Sequence, residues 1–175
     1  LPLASGMSLL SDLRYFNSNS AGTAKAGSVD NRNFNMMSTL SVGAHKVGVG
    51  YQRMYGNDAF PTLNGYTPPY TANLVTIGTF TNAGEVSWQA RYDYNFAALG
   101  LPGLTFMTRY VRGDEIRTSA ADGREWERDT DLAYVIQAGY FQGLGVRWRN
   151  AAYRSSYASD MDENRLIVSY TLKLW

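Results

Sequence analysis

The chain has no cysteine and only one histidine, His45. Without thiols there is no disulfide framework, no thiolate nucleophile and no Cys-based zinc site. A Ser–His catalytic pair would have to use His45, and no Gly-x-Ser-x-Gly elbow accompanies it. Neither sign of charge dominates. Sixteen Lys+Arg stand against 15 Asp+Glu, a formal net charge of +1, which does not suit the strongly basic face of a nucleic-acid binder. Charge is also sparse, at 18% of residues, where soluble domains carry roughly 25%. Long hydrophobic runs are missing as well. The longest uncharged stretch, Ala59–Gly84, contains Pro61, Pro68 and Pro69 and cannot form a lipid-spanning helix, which needs about 20 mostly apolar residues. Leu1–Ser11 lacks the basic start of a secretory signal.

What the chain does have is aromatics (14%) and glycine (17 residues), arranged with a period of two. In Glu85–Ala97, Val86, Trp88, Ala90, Tyr92, Tyr94 and Phe96 alternate with Glu85, Ser87, Gln89, Arg91, Asp93 and Asn95. Successive strand side chains point to opposite faces, so this segment predicts a strand with one apolar and one polar wall. Leu104–Gly113, the Leu144–Trp148 region and Arg165–Leu174 alternate in the same way, and Met7–Asn17, Asn31–Gly43, Lys46–Tyr55 and Thr130–Phe141 do so more weakly. No helical period of similar quality competes.

The connections between these eight predicted strands alternate in length. Asn17–Asp30, Gly56–Gly84, Gly113–Asp129 and Arg154–Asp162 are the long ones, and Gly43–His45, Ala98–Gly103 and Gln142–Gly143 are the short ones. An antiparallel up-and-down barrel in an outer membrane sorts its connections this way, with long loops outside and short turns on the periplasmic side. Tyr15, Tyr51, Tyr55, Tyr92, Tyr94, Tyr110, Tyr140, Tyr153, Tyr170 and Trp175 cluster near strand ends, as aromatic girdles do at the headgroup level. The expected fold class is therefore all-β, a transmembrane antiparallel β-barrel.

Eight strands alone would close into a barrel whose interior is nearly filled by side chains. The predicted inward positions carry Arg14, Arg91, Arg109, Arg147, Arg149, Arg165 and Lys173 against Asp12, Asp93 and Asp131. So many cations suit a wide, wet lumen better than a packed one. Residues 1–175 are thus expected to be a single β-barrel segment, the C-terminal part of a larger barrel. The facing of Arg14 and Arg53 is ambiguous. Glu125, Glu127, Asp129 and Asp131 form an acidic cluster, read as a solvated outer loop, with binding of divalent cations as the other possibility.

Val47–Met54, the long run Ser87–Tyr110, Glu125–Asp129 and Asp162–Tyr170 resemble the OprD (Occ) family of outer-membrane carboxylate channels, and the resemblance extends over nearly the whole chain from Met7. It implies an 18-stranded, usually monomeric barrel in the Gram-negative outer membrane, of which these would be the last eight strands. It also implies that residues 56–84 fold inward as a constriction loop, with Thr62, Asn64, Tyr66 and Tyr70 facing solute. The loop has no charge between Asp58 and Glu85, which lowers the desolvation cost of entering a barrel.

What the resemblance implies for function is passive, selective diffusion of small carboxylates along a basic ladder of Arg91, Arg109, Arg147, Arg149, Arg165 and Lys173. Arginine stays protonated and meets a carboxylate with a planar fork. Asp12, Asp93 and Asp131 could brace these arginines or hold the amino group of a solute, so a channel mainly for basic amino acids and peptides remains an alternative. An outer-membrane barrel hydrolase is the other. No cofactor and no metal is expected. The expected partners are solutes, outer-membrane lipid and lipopolysaccharide.

Overall fold

The computed structural model describes residues 2–4, 6–24, 27–62, 70–119 and 122–171. Nine strands follow one another as β1 (Pro2–Ala4), β2 (Met7–Asn19), β3 (Asp30–Val42), β4 (His45–Gly56), β5 (Val86–Asn95), β6 (Leu104–Arg117), β7 (Asp122–Val135), β8 (Gly145–Ser155) and β9 (Met161–Ser169). They form one antiparallel sheet in which spatial order equals chain order. This is the up-and-down arrangement expected from the alternation, with the short β1 as an addition.

The sheet is polar on its covered side and apolar on its bare side. Among the described residues, the buried set includes Asn33, Asn35, Gln52, Ser87, Gln89, Glu127 and Asp129, while Leu13 (64% exposed), Val49 (55%) and Leu166 (72%) stand on the opposite face. A soluble sheet would bury the second set and wet the first. Apolar area this extensive, left open on one face of a β-sheet, is the lipid-facing wall of a barrel. Trp88, Tyr110 and Trp126 form a cross-strand aromatic row on that wall, with ring centroids 5.5 and 5.7 Å apart. Arg53 is also on this outer wall, 4.0 Å from Glu115 and 5.1 Å from the centre of the Tyr55 ring.

Turn chemistry fixes the register. Val42 pairs with His45 across a two-residue turn, and Gly43 at φ +55° supplies the left-handed conformation such a turn requires. His45 Nδ1 is 2.8 Å from the Tyr92 hydroxyl at this exposed rim.

The structure corrects the reading around β7. The segment expected to be a long polar loop, Gly113–Asp129, is mostly strand, with β6 running to Arg117, β7 starting at Asp122 and a bulge between Gly113 and Ile116. Correspondingly, the connection expected at Gln142–Gly143 is longer and spans Ile136–Leu144. Glu125, Glu127, Asp129 and Asp131 are therefore not a solvated loop. They are alternate residues of β7, pointing to the inner face and buried. The period-two signal was masked because the outward positions between them hold Arg124 and Arg128 as well as Trp126.

Candidate functional site

The inner face presents its arginines already held by carboxylates. Arg14 is paired with Asp12 and Arg165 with Glu163, each two residues along the same strand. Arg91 makes two bonds to Asp93, at 2.8 and 2.7 Å. Two residues on one strand face lie close enough for this, so the pairing was visible in the sequence. The other pairs run between strands. Arg109 donates to Asp129 at 2.7 Å, its register partner across β6–β7. Arg149 grips both oxygens of Asp131 at 2.8 Å, again its direct partner, across β7–β8.

Two of these pairs, Arg91–Asp93 and Arg149–Asp131, line one cleft. Arg91, Asp93, Arg109, Asp131, Arg147 and Arg149 all border it. Arg91 faces Arg109 in register, and Arg149 faces Arg165, so cationic groups recur from β5 to β9. The arginines are not equally available. The Arg109 side chain is 15% exposed and that of Arg149 22%, whereas Arg147 is 49% exposed and meets Asp131 only at 4.0 Å. The acid that holds Arg149 is on the adjacent strand, since β8 itself carries none beside Arg147 and Arg149. The inner wall is also less basic than expected, because Glu125, Glu127, Asp129 and Glu163 join Asp12, Asp93 and Asp131 on it. Lys173 lies outside the described residues.

Residues 70–85, in the connection between β4 and β5, lie over this same face. The Glu127 carboxylate accepts three successive backbone N–H groups, from Thr76 (3.1 Å), Ile77 (2.9 Å) and Gly78 (2.5 Å). Thr76 Oγ1 donates to Asp129 at 2.9 Å, which ties the loop to the Arg109–Asp129 pair. Gln52 donates to the Phe80 carbonyl at 2.5 Å and accepts from the Asn73 amide at 3.2 Å. Arg14 reaches the Tyr70 carbonyl at 2.8 Å. Phe80 is fully buried, and it fits because Gly113 beneath it has no side chain. A Cβ on Gly113 would be 1.9 Å from Glu85 Oε1 and 3.1 Å from the Phe80 ring. Thr62 and Tyr70 are exposed. Asn64 and Tyr66 lie outside the described residues.

At the end of the loop, Glu85 is buried and accepts from the backbone and side chain of Asn82, at 2.9 and 3.0 Å. Burial, and then the charge of nearby Glu125, push its carboxyl up to about 9, so it is protonated at neutral pH. Glu125 accepts from the Tyr153 and Tyr157 hydroxyls, and burial together with that contact raises the Tyr157 phenol above its ordinary range. Glu85, Phe80 and Gly113 were not singled out from the sequence, and Glu125, Glu127 and Asp129 were read there as an outer acidic cluster, not as part of this inner face. The one available signal was that the β7 acids repeat every second residue, in phase with inward Asp131.

No group of acidic or histidine side chains among the described residues is arranged to hold a metal ion, and no helix among them is long and apolar enough to cross a membrane.

Comparison with known proteins agrees with this architecture. Residues 1–174 match the family described as outer membrane porin, OprD family. The chain is 40% identical over 165 residues to the porin-like protein GalP of Pseudomonas putida, covering 93% of this chain and 39% of GalP. It is 34% identical over 199 aligned residues to Porin D of Pseudomonas aeruginosa, covering 99% and 45%. The crystal structure of Pseudomonas aeruginosa OpdL superposes with a TM-score of 0.96 at 61% identity, covering all of this chain and 49% of OpdL. The chain therefore spans about half the length of the relatives it matches.

Proposed function

The chain belongs to the OprD family of outer membrane porins, and from that premise we propose that it forms the selective part of a channel for small carboxylates in the Gram-negative outer membrane. The reading rests above all on the cleft lined by Arg91, Arg109, Arg147 and Arg149. A guanidinium has five N–H donors in a fixed plane. When Asp93 or Asp131 takes the edge formed by Nε and one terminal nitrogen, the other terminal nitrogen is not used by that acid. The acid therefore fixes the direction of the fork without using it up, and a solute carboxylate meets an oriented donor. Partial neutralisation also keeps each site weak enough to release its anion, which conduction requires. Arg147, held only at long range, is the strongest single contact for a passing solute. Residues 56–84 would act as the constriction, narrowing the pore above this cleft.

A second reading is favoured by the number of carboxylates on the same wall. Asp93 and Asp131 stand beside the arginines, so a solute carrying both an ammonium and a carboxylate, such as a basic amino acid, finds complementary groups. A barrel hydrolase has no such support, since the relatives are porins, which are channels rather than enzymes.

Single-channel recording on the full-length porin tests the proposal, with Arg147→Ala and Arg91→Ala against wild type. Carboxylate-carrying current should fall in both variants, with Cl⁻ selectivity falling in parallel. Unchanged anion selectivity in the double variant would sink the ladder. A larger loss of lysine current than of benzoate current in Asp93→Asn would favour the second reading.

A further inference from the structure

On the outer wall, β7 reads Arg124, Trp126, Arg128 at successive lipid-facing positions. Trp126 has Arg112 as its register partner on β6 and Arg154 on β8. One tryptophan thus has an arginine on each of four sides, on the face that elsewhere carries Leu132, Trp148 and Leu166. Arg112, Arg124, Trp126, Arg154, Ser156 and Asp160 line a single concave pocket there.

The local acids do not satisfy this cluster. Arg112 is held by Asp114 at 2.9 Å through two bonds. Arg154 is held by Asp162 at 2.8 and 3.0 Å, with Asp160 at 3.7 Å. Neither Arg124 nor Arg128 makes a side-chain hydrogen bond or ion pair with the described residues. Four guanidinium groups thus face three carboxylates, and the two arginines on β7 keep free forks.

Position decides what such a cluster meets. An arginine on the lipid face of a barrel costs about 2–4 kcal/mol at the bilayer midplane and about 0–1 near the interface. Four together are tolerable only at headgroup level, and the adjoining row of Trp88, Tyr110 and Trp126 marks that level. The cluster is at the end of β7 that joins the same side as the long 56–84 connection, the external side by loop length. Arginine forks bind phosphate bidentately.

We propose that Arg124 and Arg128, with Arg112 and Arg154 around Trp126, form a binding site on the outer wall for the phosphate of a phosphorylated outer-leaflet glycolipid. The phosphate would sit in the fork of Arg124, in the pocket it shares with Arg112 and Arg154, with Arg128 adding positive charge from the neighbouring hollow of the same wall, and the acyl chains would run down past Leu132 and Trp148. The site is separate from the inner face and does not depend on the solute reading.

The test is native mass spectrometry of the full-length porin in detergent, titrated with bisphosphorylated lipid A and with its dephosphorylated form. We expect retention of the phosphorylated lipid by the wild type and a loss of about 30-fold in R124Q/R128Q, the effect of removing two basic groups at an anionic surface. Inorganic phosphate at millimolar concentration should not displace the lipid. Equal binding of the dephosphorylated lipid, no loss in the variant, or ready displacement by inorganic phosphate would each overturn the proposal. So would a wild-type dimer that becomes monomeric in the variant, because the patch would then bind a second copy. Unchanged single-channel conductance in R124Q/R128Q shows that the variant barrel is folded, and it leaves the channel reading standing whatever the lipid result.

Discussion

The Gly78 amide donates to the Glu127 carboxylate at 2.5 Å across a separation of 49 residues. With the Thr76 and Ile77 amides on the same group, this contact turns one strand side chain into the seat of a loop. Three successive N–H groups aimed at one anion resemble the backbone nests that bind anions elsewhere, except that here the anion belongs to the protein.

Removing that anion should free the loop without unfolding the barrel. Hydrogen bonds to charged groups contribute roughly 1.5–3 kcal/mol each, less when they share an acceptor, so Glu127→Ala should weaken loop docking by about 3 kcal/mol. Hydrogen exchange at residues 76–78 should then accelerate about a hundredfold or more, and single-channel noise should rise. Glu127→Gln keeps one acceptor oxygen and should lie between. Exchange at wild-type rates in Glu127→Ala would show that the loop is held by its other contacts.

A second expectation concerns the balance of charge in the cleft. Asp131 holds Arg149 through both oxygens and lies 4.0 Å from Arg147. Asp131→Asn should release both guanidinium groups and shift the reversal potential in a KCl gradient toward Cl⁻. The cost, from a partly buried Arg149 left without its partner, should be about 1–3 kcal/mol in stability. Arg147→Ala should move the potential the other way. A shift of the same sign in both variants would mean that local structure, not charge, controls selectivity.

Packing gives a third. Gly113 leaves the space that Phe80 and Glu85 occupy, since a Cβ there would be 1.9 Å from Glu85 Oε1. Gly113→Ala must displace the loop end, and overpacking of this kind costs about 1–3 kcal/mol. Limited proteolysis within 57–85 should become faster while the heat-modifiable barrel band on a gel persists. Equal proteolysis in the variant would show that Glu85 can rotate away freely.

These relationships also explain what the sequence revealed and what it hid. β5 was legible because its outward set, from Val86 to Tyr94, is unbroken by charge and its inward set is wholly polar. The upper half of β7 was not, because Arg124 and Arg128 occupy outward positions and imitate a polar loop. Pairs two residues apart, such as Arg91–Asp93, follow from strand period alone. Arg149–Asp131 does not, because it depends on a register set by the Ile136–Leu144 turn, whose length was misjudged. The loop's seat on Glu127 depends on where a long irregular segment crosses the sheet, and no local pattern encodes that path.

The last expectation concerns pH. Glu85 is buried beside Glu125, and its carboxyl is pushed up from 4.5 to about 9. In the folded protein it keeps its proton where the unfolded chain has lost it. Between those two values the native state binds more protons than the unfolded state, so stability falls as pH rises. The contribution is complete below about 4.5, declines across the interval, and is gone once pH passes about 9. Loop docking should follow the same course, with exchange and proteolysis at residues 80–85 faster at pH 9.5 than at pH 6. Glu85→Gln mimics the protonated acid and should remove most of this dependence while leaving the docked loop intact at pH 6. A Glu85→Gln protein that keeps the full wild-type slope would assign the titration to another group.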